Sequence, residues 1–178
     1  MFISSERWRL IVFSVLLVAA TAAQCADPVT RRIIYFGATY GQYDFASKRG
    51  LDDRQFPGVS LGLQFTEQVS MALFYTRADV TANDGRPRYR LENYFLEGAW
   101  YFNIAERFRP YVVAGIGETQ EAKGDISAAT TVNGGAGIKW RFNQHWAAKL
   151  DGRALFSLDD DLTDKAIMTS IEYHFGRD

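Results

Sequence analysis

The sequence predicts an all-β fold: an eight-stranded antiparallel up-and-down transmembrane β-barrel behind an N-terminal signal peptide. Three observations predict it. Beyond Pro28 the chain divides into eight segments whose side chains alternate with period two, the pattern of strands with two unlike faces. The links between them alternate between short turns and long polar loops. The leader is unlike everything that follows it.

In that leader Arg7 and Arg9 precede a 14-residue apolar run from Leu10 to Ala23, followed by small residues in "ATAAQCA". A positive start, a short apolar core and small residues for cleavage describe a secretory signal. The run falls short of the roughly 18 to 20 residues that a membrane-spanning helix needs. Residues 1–26 are therefore expected to be a signal peptide cleaved between 22 and 26, and residues 27–178 a single barrel domain. Cys25 is the only cysteine, and Gln24 before it is larger than a lipoprotein signal allows, so no internal disulfide is expected. A net charge of −1 argues against a broad basic surface for nucleic acid.

The first strand, "RIIYFGATYGQYD", sets Ile34, Phe36, Ala38 and Tyr40 against Tyr35, Gly37, Thr39 and Gly41. "VSLGLQFT" and "VSMALFYTR" repeat the pattern, with Val59, Leu61 and Leu63, then Met71, Leu73 and Tyr75, on their apolar faces. In "ENYFLEGAWYF", Tyr94, Leu96, Trp100 and Phe102 oppose Asn93, Phe95, Glu97 and Tyr101. "PYVVAGIGE" and "VNGGAGIKWRF" form the fifth and sixth strands. Asn133-Gly134 is a strong hairpin dipeptide, but splitting there would leave two stubs and an odd strand count. The seventh strand, "HWAAKLDGRALF", puts Trp146, Leu150 and Phe156 opposite Lys149, Asp151 and Arg153. "KAIMTSIEYHF" completes the set, with Ile167, Ile171, Tyr173 and Phe175 opposite Met168, Ser170, Glu172 and His174.

The second, fourth and sixth strands are followed by short links: Glu67-Gln68, residues 103–109 and residues 143–145. "FASKRGLDDRQ", "VTANDGRPR", "TQEAKGDIS" and "LDDDLTDK" follow the odd strands. Short turns at one end and long loops at the other mark outer-membrane barrels. A soluble barrel shares the strand count but keeps its polar face outward. Here aromatics flank the apolar faces near the strand ends (Tyr40, Tyr75, Trp100, Trp140, Trp146, Phe175), as interfacial girdles do. The polar faces carry small Gly, Ser, Thr and Ala, suited to a narrow lumen.

"RPYVVAGIGE", "NGGAGIKWRFNQHWAAKLDGRAL" and the terminal "IEYHF" resemble the small eight-stranded outer-membrane barrels of the OmpA transmembrane-domain and opacity-protein type. The resemblance covers the whole mature chain and is strongest from Arg109 onward. It implies residence in the outer membrane of a Gram-negative bacterium, among lipid and lipopolysaccharide, with four loops at the cell surface. It also implies a terminal aromatic-x-aromatic signal read by the barrel assembly machinery, matched by Tyr173 and Phe175. Gly176, Arg177 and Asp178 extend past that signal. The periplasmic peptidoglycan-binding domain of longer relatives is not expected within these 178 residues.

With polar faces inward, Glu97, Lys139, Arg141, Lys149, Asp151, Arg153, Glu172 and His174 all point into the lumen. Eight strands leave an interior just wide enough for side chains to fill, so buried charges there have to pair. The expectation is a shared salt-bridge network that plugs and stiffens the barrel. A gated narrow path for ions or small solutes is the alternative. Enzymes that modify lipid A also use barrels of this size, but they require an activated nucleophile. His145 falls in a turn. Ser170 and His174 share one strand face about 13 Å apart, at roughly 3.3 Å per residue.

The run "LDDDLTD" lacks the glycine and terminal glutamate of a calcium loop. "AGIG" and "NGGAG" lack the Gly-Lys-Ser/Thr of a phosphate loop. No cofactor or metal is expected. The functional expectation is a non-enzymatic barrel with a plugged lumen, serving envelope structure and contact with host or surface ligands through its loops.

Overall fold

In the computed structural model, residues 32–45, 53–80, 89–102, 107–122, 126–159 and 162–175 are described. The expected signal peptide, Cys25 and the C-terminal extension lie outside the described residues. Eight strands follow in chain order: β1 (Ile33–Asp44), β2 (Arg54–Gln64), β3 (Val69–Val80), β4 (Tyr89–Tyr101), β5 (Phe108–Ala122), β6 (Ile126–Arg141), β7 (Trp146–Ser157) and β8 (Thr163–His174). Each pairs antiparallel with its neighbours in sequence. The barrel closes through β1 and β8, from Tyr35 opposite His174 to Asp44 opposite Lys165. Closure leaves no free sheet edge, the condition for a sheet to sit in lipid.

Two of the short turns are fixed by their own side chains. Thr66 Oγ1 accepts hydrogen bonds from the amides of Gln68 and Val69 at 3.1 and 3.0 Å. Asn143 Oδ1 does the same for the amides of His145 and Trp146, both at 2.8 Å. Such side-chain turns reverse the chain without a glycine. Asn133-Gly134 does not turn, because both residues lie inside β6 with Asn133 directed inward.

Burial follows the alternation. Leu61, Leu73, Leu150, Ile167 and Ile171 are more than half exposed on the outside, while Glu97, Lys139, Asp151, Glu172 and His174 are buried. The barrel is thus inside out relative to a soluble one. An aromatic chain runs around the short-turn rim. Phe108 stacks on Trp140, Trp140 meets Phe142 edge-on at 4.3 Å, and Tyr173 contacts both Trp146 and Phe175. His145 stacks on Tyr173 at the same rim.

The strands reach further toward the long-loop end than apolar alternation indicates. β2 begins at Arg54 rather than near Val59, and β5 and β6 take up most of the segment 119–127. In these extensions the polarity is reversed. Phe56, Val80 and Leu91 face inward and are buried, whereas Gln55, Arg77 and Arg90 face outward. Alternation in search of an apolar outer face stops where that face becomes polar.

The outer face of β3 supplies a test. Leu73→Arg places a cation on the lipid side of the wall and should lower stability in lipid vesicles by about 2–4 kcal/mol. Urea titration of the barrel in vesicles measures it, with Leu73→Ala as the comparison for lost size alone.

Candidate functional site in the barrel lumen

The lumen charges form two clusters and a mouth. In the middle, Arg153 of β7 pairs with two carboxylates. Its Nε donates to Asp151 Oδ1 at 2.6 Å, and its Nη1 donates to Glu97 Oε1 of β4 on the far wall. Asp151 Oδ2 accepts from the Tyr111 hydroxyl at 2.6 Å, and Glu97 Oε1 also accepts from Asn133 Nδ2 at 3.0 Å. The guanidinium lies 4.9 Å from the Phe74 ring centre, a cation–π contact.

Nearer the short turns, Glu172 gathers Lys139, Lys149 and His174. Lys139 Nζ lies 2.6 Å from one carboxylate oxygen and Lys149 Nζ lies 3.3 Å from the other. His174 Nε2 sits 3.3 Å from Glu172 Oε2 and 3.1 Å from Lys139 Nζ. Rings enclose the two ammonium groups: Tyr35 and Tyr101 about Lys139, and Tyr111 beside Lys149 at 4.8 Å. At the mouth, Arg109 Nη1 binds Glu67 Oε2 at 2.8 Å, and Arg141 Nη1 lies 3.9 Å from the same oxygen. A cavity of about 20 Å³ beside Lys149 and Arg153, lined in part by Ser60, Ser70 and Ser170, has room for about one water.

Arg109 and Glu67 were invisible to strand alternation. Glu67 belongs to a turn and folds back over the mouth, and Arg109 opens β5 on its inward face. The inward parity of Tyr111 and Val113, continued back by one pair, is the signal that would have found Arg109. Ser170 and His174 do not form a catalytic pair. The Ser170 hydroxyl bonds Thr39 Oγ1 at 2.8 Å across the closing seam. In the acidic run, Asp159 Oδ2 accepts from the Thr130 amide at 2.7 Å, and Asp164 is turned inward and buried. Among the described residues no three His, Cys, Asp or Glu side chains gather as a metal site.

A closed antiparallel barrel with an apolar outside and a charged inside has relatives among known proteins. The profile of the outer membrane protein β-barrel domain matches residues 12–175. The chain belongs to the outer membrane protein β-barrel domain family. It is similar to Outer membrane porin F of Pseudomonas fluorescens, 26% identical over 148 residues that cover 76% of this chain and 44% of the relative. It is also similar to Outer membrane protein Omp38 of Acinetobacter baumannii, 23% identical, covering 93% of this chain and 53% of that protein. The chain spans about half the length of these curated relatives. Among solved structures, the N-terminal β-barrel domain of Pseudomonas aeruginosa OprF superposes with a TM-score of 0.58 at 20% identity, over 79% of this chain and 97% of that one. Neisserial surface protein A gives 0.63 at 13% identity, over 81% and 97%.

This outer-membrane barrel uses its glycines in two ways. Gly115, Gly135 and Gly137 face the lumen, where an added Cβ would press on the side chains of Glu97, Arg153 and Asp151 respectively. They clear the space that the central cluster occupies. Gly98, Gly134 and Gly152 face lipid, where a Cβ would meet nothing closer than 4.0 Å.

Two substitutions read out the cluster. Arg153→Met strands two buried carboxylates and should lower stability by about 3–5 kcal/mol. Gly137→Val crowds Asp151 away from Tyr111 and should cost about 1–3 kcal/mol by overpacking, while Gly152→Ala on the lipid face should fall within experimental error. Urea unfolding in vesicles, followed by tryptophan fluorescence, checks all three.

Proposed function

We propose that this outer-membrane protein is a non-enzymatic barrel with a closed lumen, serving envelope structure and surface interaction through its long-loop end. The observation that carries the reading is Glu97 of β4 reaching Arg153 of β7, a pair that ties opposite walls together across the lumen. Supporting it, the Glu172 cluster lies between that pair and the short turns, and eight strands leave width only for side chains. Those turns face the periplasm in barrels of this kind, so the four long connections face the cell exterior. There they meet lipopolysaccharide and any host or surface ligand. The lumen charges at Glu97, Lys139, Arg141, Lys149, Asp151, Arg153, Glu172 and His174 form a network that stiffens the walls of this closed lumen.

One observation favours a second reading, a narrow small-solute channel. The water-sized cavity beside Arg153 is a gap in the filling, and one relative bears the name porin. A lipid A-modifying activity is not part of the proposal, because the buried Ser170 hydroxyl is engaged with Thr39 rather than a base.

Planar-bilayer recording separates the first two readings. The purified wild type should give a silent trace, and reproducible unitary openings would transfer the assignment to the channel. Tyr173 and Phe175 are proposed as the assembly signal. Phe175→Ala should reduce the heat-modifiable, membrane-inserted fraction in cells several-fold without altering the stability of barrel refolded from urea. Equal losses in both measurements would make Phe175 a packing residue only.

A further inference from the structure

The lumen holds a second layer on the long-loop side of its charges. Phe56 of β2, Phe74 of β3, Phe95 of β4, Leu155 of β7 and Met168 of β8 belong to one buried apolar cluster, together with Tyr43 of β1. Phe56 has no exposed surface and stacks on Tyr43 with ring centres 4.0 Å apart. Among the described residues β5 and β6 add no side chain to this cluster, and on their side hydrogen bonds complete the ring. Asn93 Nδ2 donates to Tyr43 Oη and Thr76 Oγ1 at 2.9 and 3.1 Å, and Thr119 Oγ1 donates to Asn93 Oδ1 at 2.6 Å. Thr119 and Thr131 share a further bond of 2.8 Å. Phe95 lies across Gly117, where a Cβ would collide with its ring.

The space on the other side of this collar is different. The cavity of about 20 Å³ has Phe74 in its wall, with Lys149, Arg153, Ser60, Ser70 and Ser170 around the rest. Ammonium, guanidinium and hydroxyl groups hold water well, and an ion entering there can exchange its hydration for fixed charges. The collar offers no such exchange: its rings are apolar, and its hydroxyls and amide are engaged with one another. Apolar constrictions block ions by dewetting.

We propose that the barrier to ions in this lumen is the apolar collar of Phe56, Phe74, Phe95, Leu155 and Met168. The salt bridges beneath it lie beside a water-sized polar cavity and hold the walls in place. This rests on the closed-lumen reading above and assigns the closure to particular residues.

Planar-bilayer recording in potassium chloride tests it on three proteins, each first shown to fold by heat-modifiable migration. They are the wild type, the collar variant Phe74→Ala/Phe95→Ala, and the neutral variant Glu97→Gln/Asp151→Asn/Arg153→Met, which leaves no stranded charge in the central cluster. The wild type and the neutral variant should be silent, and the collar variant should show unitary openings. Openings from the neutral variant with its collar intact overturn the proposal, as does silence from a folded collar variant. Spontaneous openings of the wild type overturn the closed-lumen reading itself. If the collar variant does not fold, the neutral variant decides alone: silence supports the collar and openings remove it.

Discussion

The interaction on which the lumen depends is the pairing of Arg153 with Glu97 and Asp151. A wall of eight strands encloses a space with little water, so a carboxylate placed there needs a cation and hydrogen-bond donors within reach. Arg153 meets this need for two carboxylates at once, because the guanidinium presents several donors in a fixed plane. Everything near it is arranged to permit that geometry. Gly135 and Gly137 give up side chains where Arg153 and Asp151 lie, Gly115 does so beside Glu97, and Tyr111 and Asn133 supply the remaining donors. The glycine-rich segments are therefore negative images of the charged ones. In the central cluster each of Arg153, Asp151 and Glu97 stands opposite a glycine of the neighbouring strand.

The same wall solves two opposite problems along its length. Within the lipid, the outer face must be apolar and the inner face is free to hold charge, as Leu150 and Asp151 illustrate on adjacent positions of β7. Beyond the Tyr75 and Tyr94 pair the outside meets headgroups and water, and the outward residues become Arg77, Glu92 and Arg90. The inside then turns apolar, with Phe56, Val80 and Leu91 buried. Hydrophobic burial, which cannot drive packing inside a wall already solvated by lipid, becomes available again at that height. The barrel is inside out for most of its length and ordinary above it.

This division explains how much could be read from the sequence. Strand number, order, closure and the inward direction of Lys149, Asp151 and Arg153 are written in alternation, because lipid demands an unbroken apolar face there. The upper strands were hidden for the same reason. From Arg54 to Gly58 the apolar residues sit on the other face, and a reading that looks for an apolar exterior takes "DRQFPG" for loop. Which charges pair is not legible either. Glu97 and Arg153 are 56 positions apart, and only the register of all the intervening strands brings them together. The aromatic boxes around Lys139 and Lys149 were equally out of reach, since Tyr101 and Tyr111 face each other across a turn whose geometry no periodicity specifies.

Charge inside and lipid outside also settle a question that stability alone leaves open. A lumen filled with leucine would satisfy packing but would leave both faces of each strand alike. A one-residue slip exchanges every inward side chain with its outward neighbour. In an all-apolar wall that exchange costs little, and several registers would compete. In β7 a slip would carry Lys149, Asp151 and Arg153 into lipid, at about 2–4 kcal/mol for each cation near the bilayer centre, and would leave Glu97 unpaired. Above the membrane the contrast is reversed but equally strong, because a slip would send Phe56 and Leu91 into water and bring Gln55 and Arg90 inside. The buried ion pairs therefore need not be strongly stabilising to be essential. They make the correct register distinguishable from its neighbours at every height of the wall.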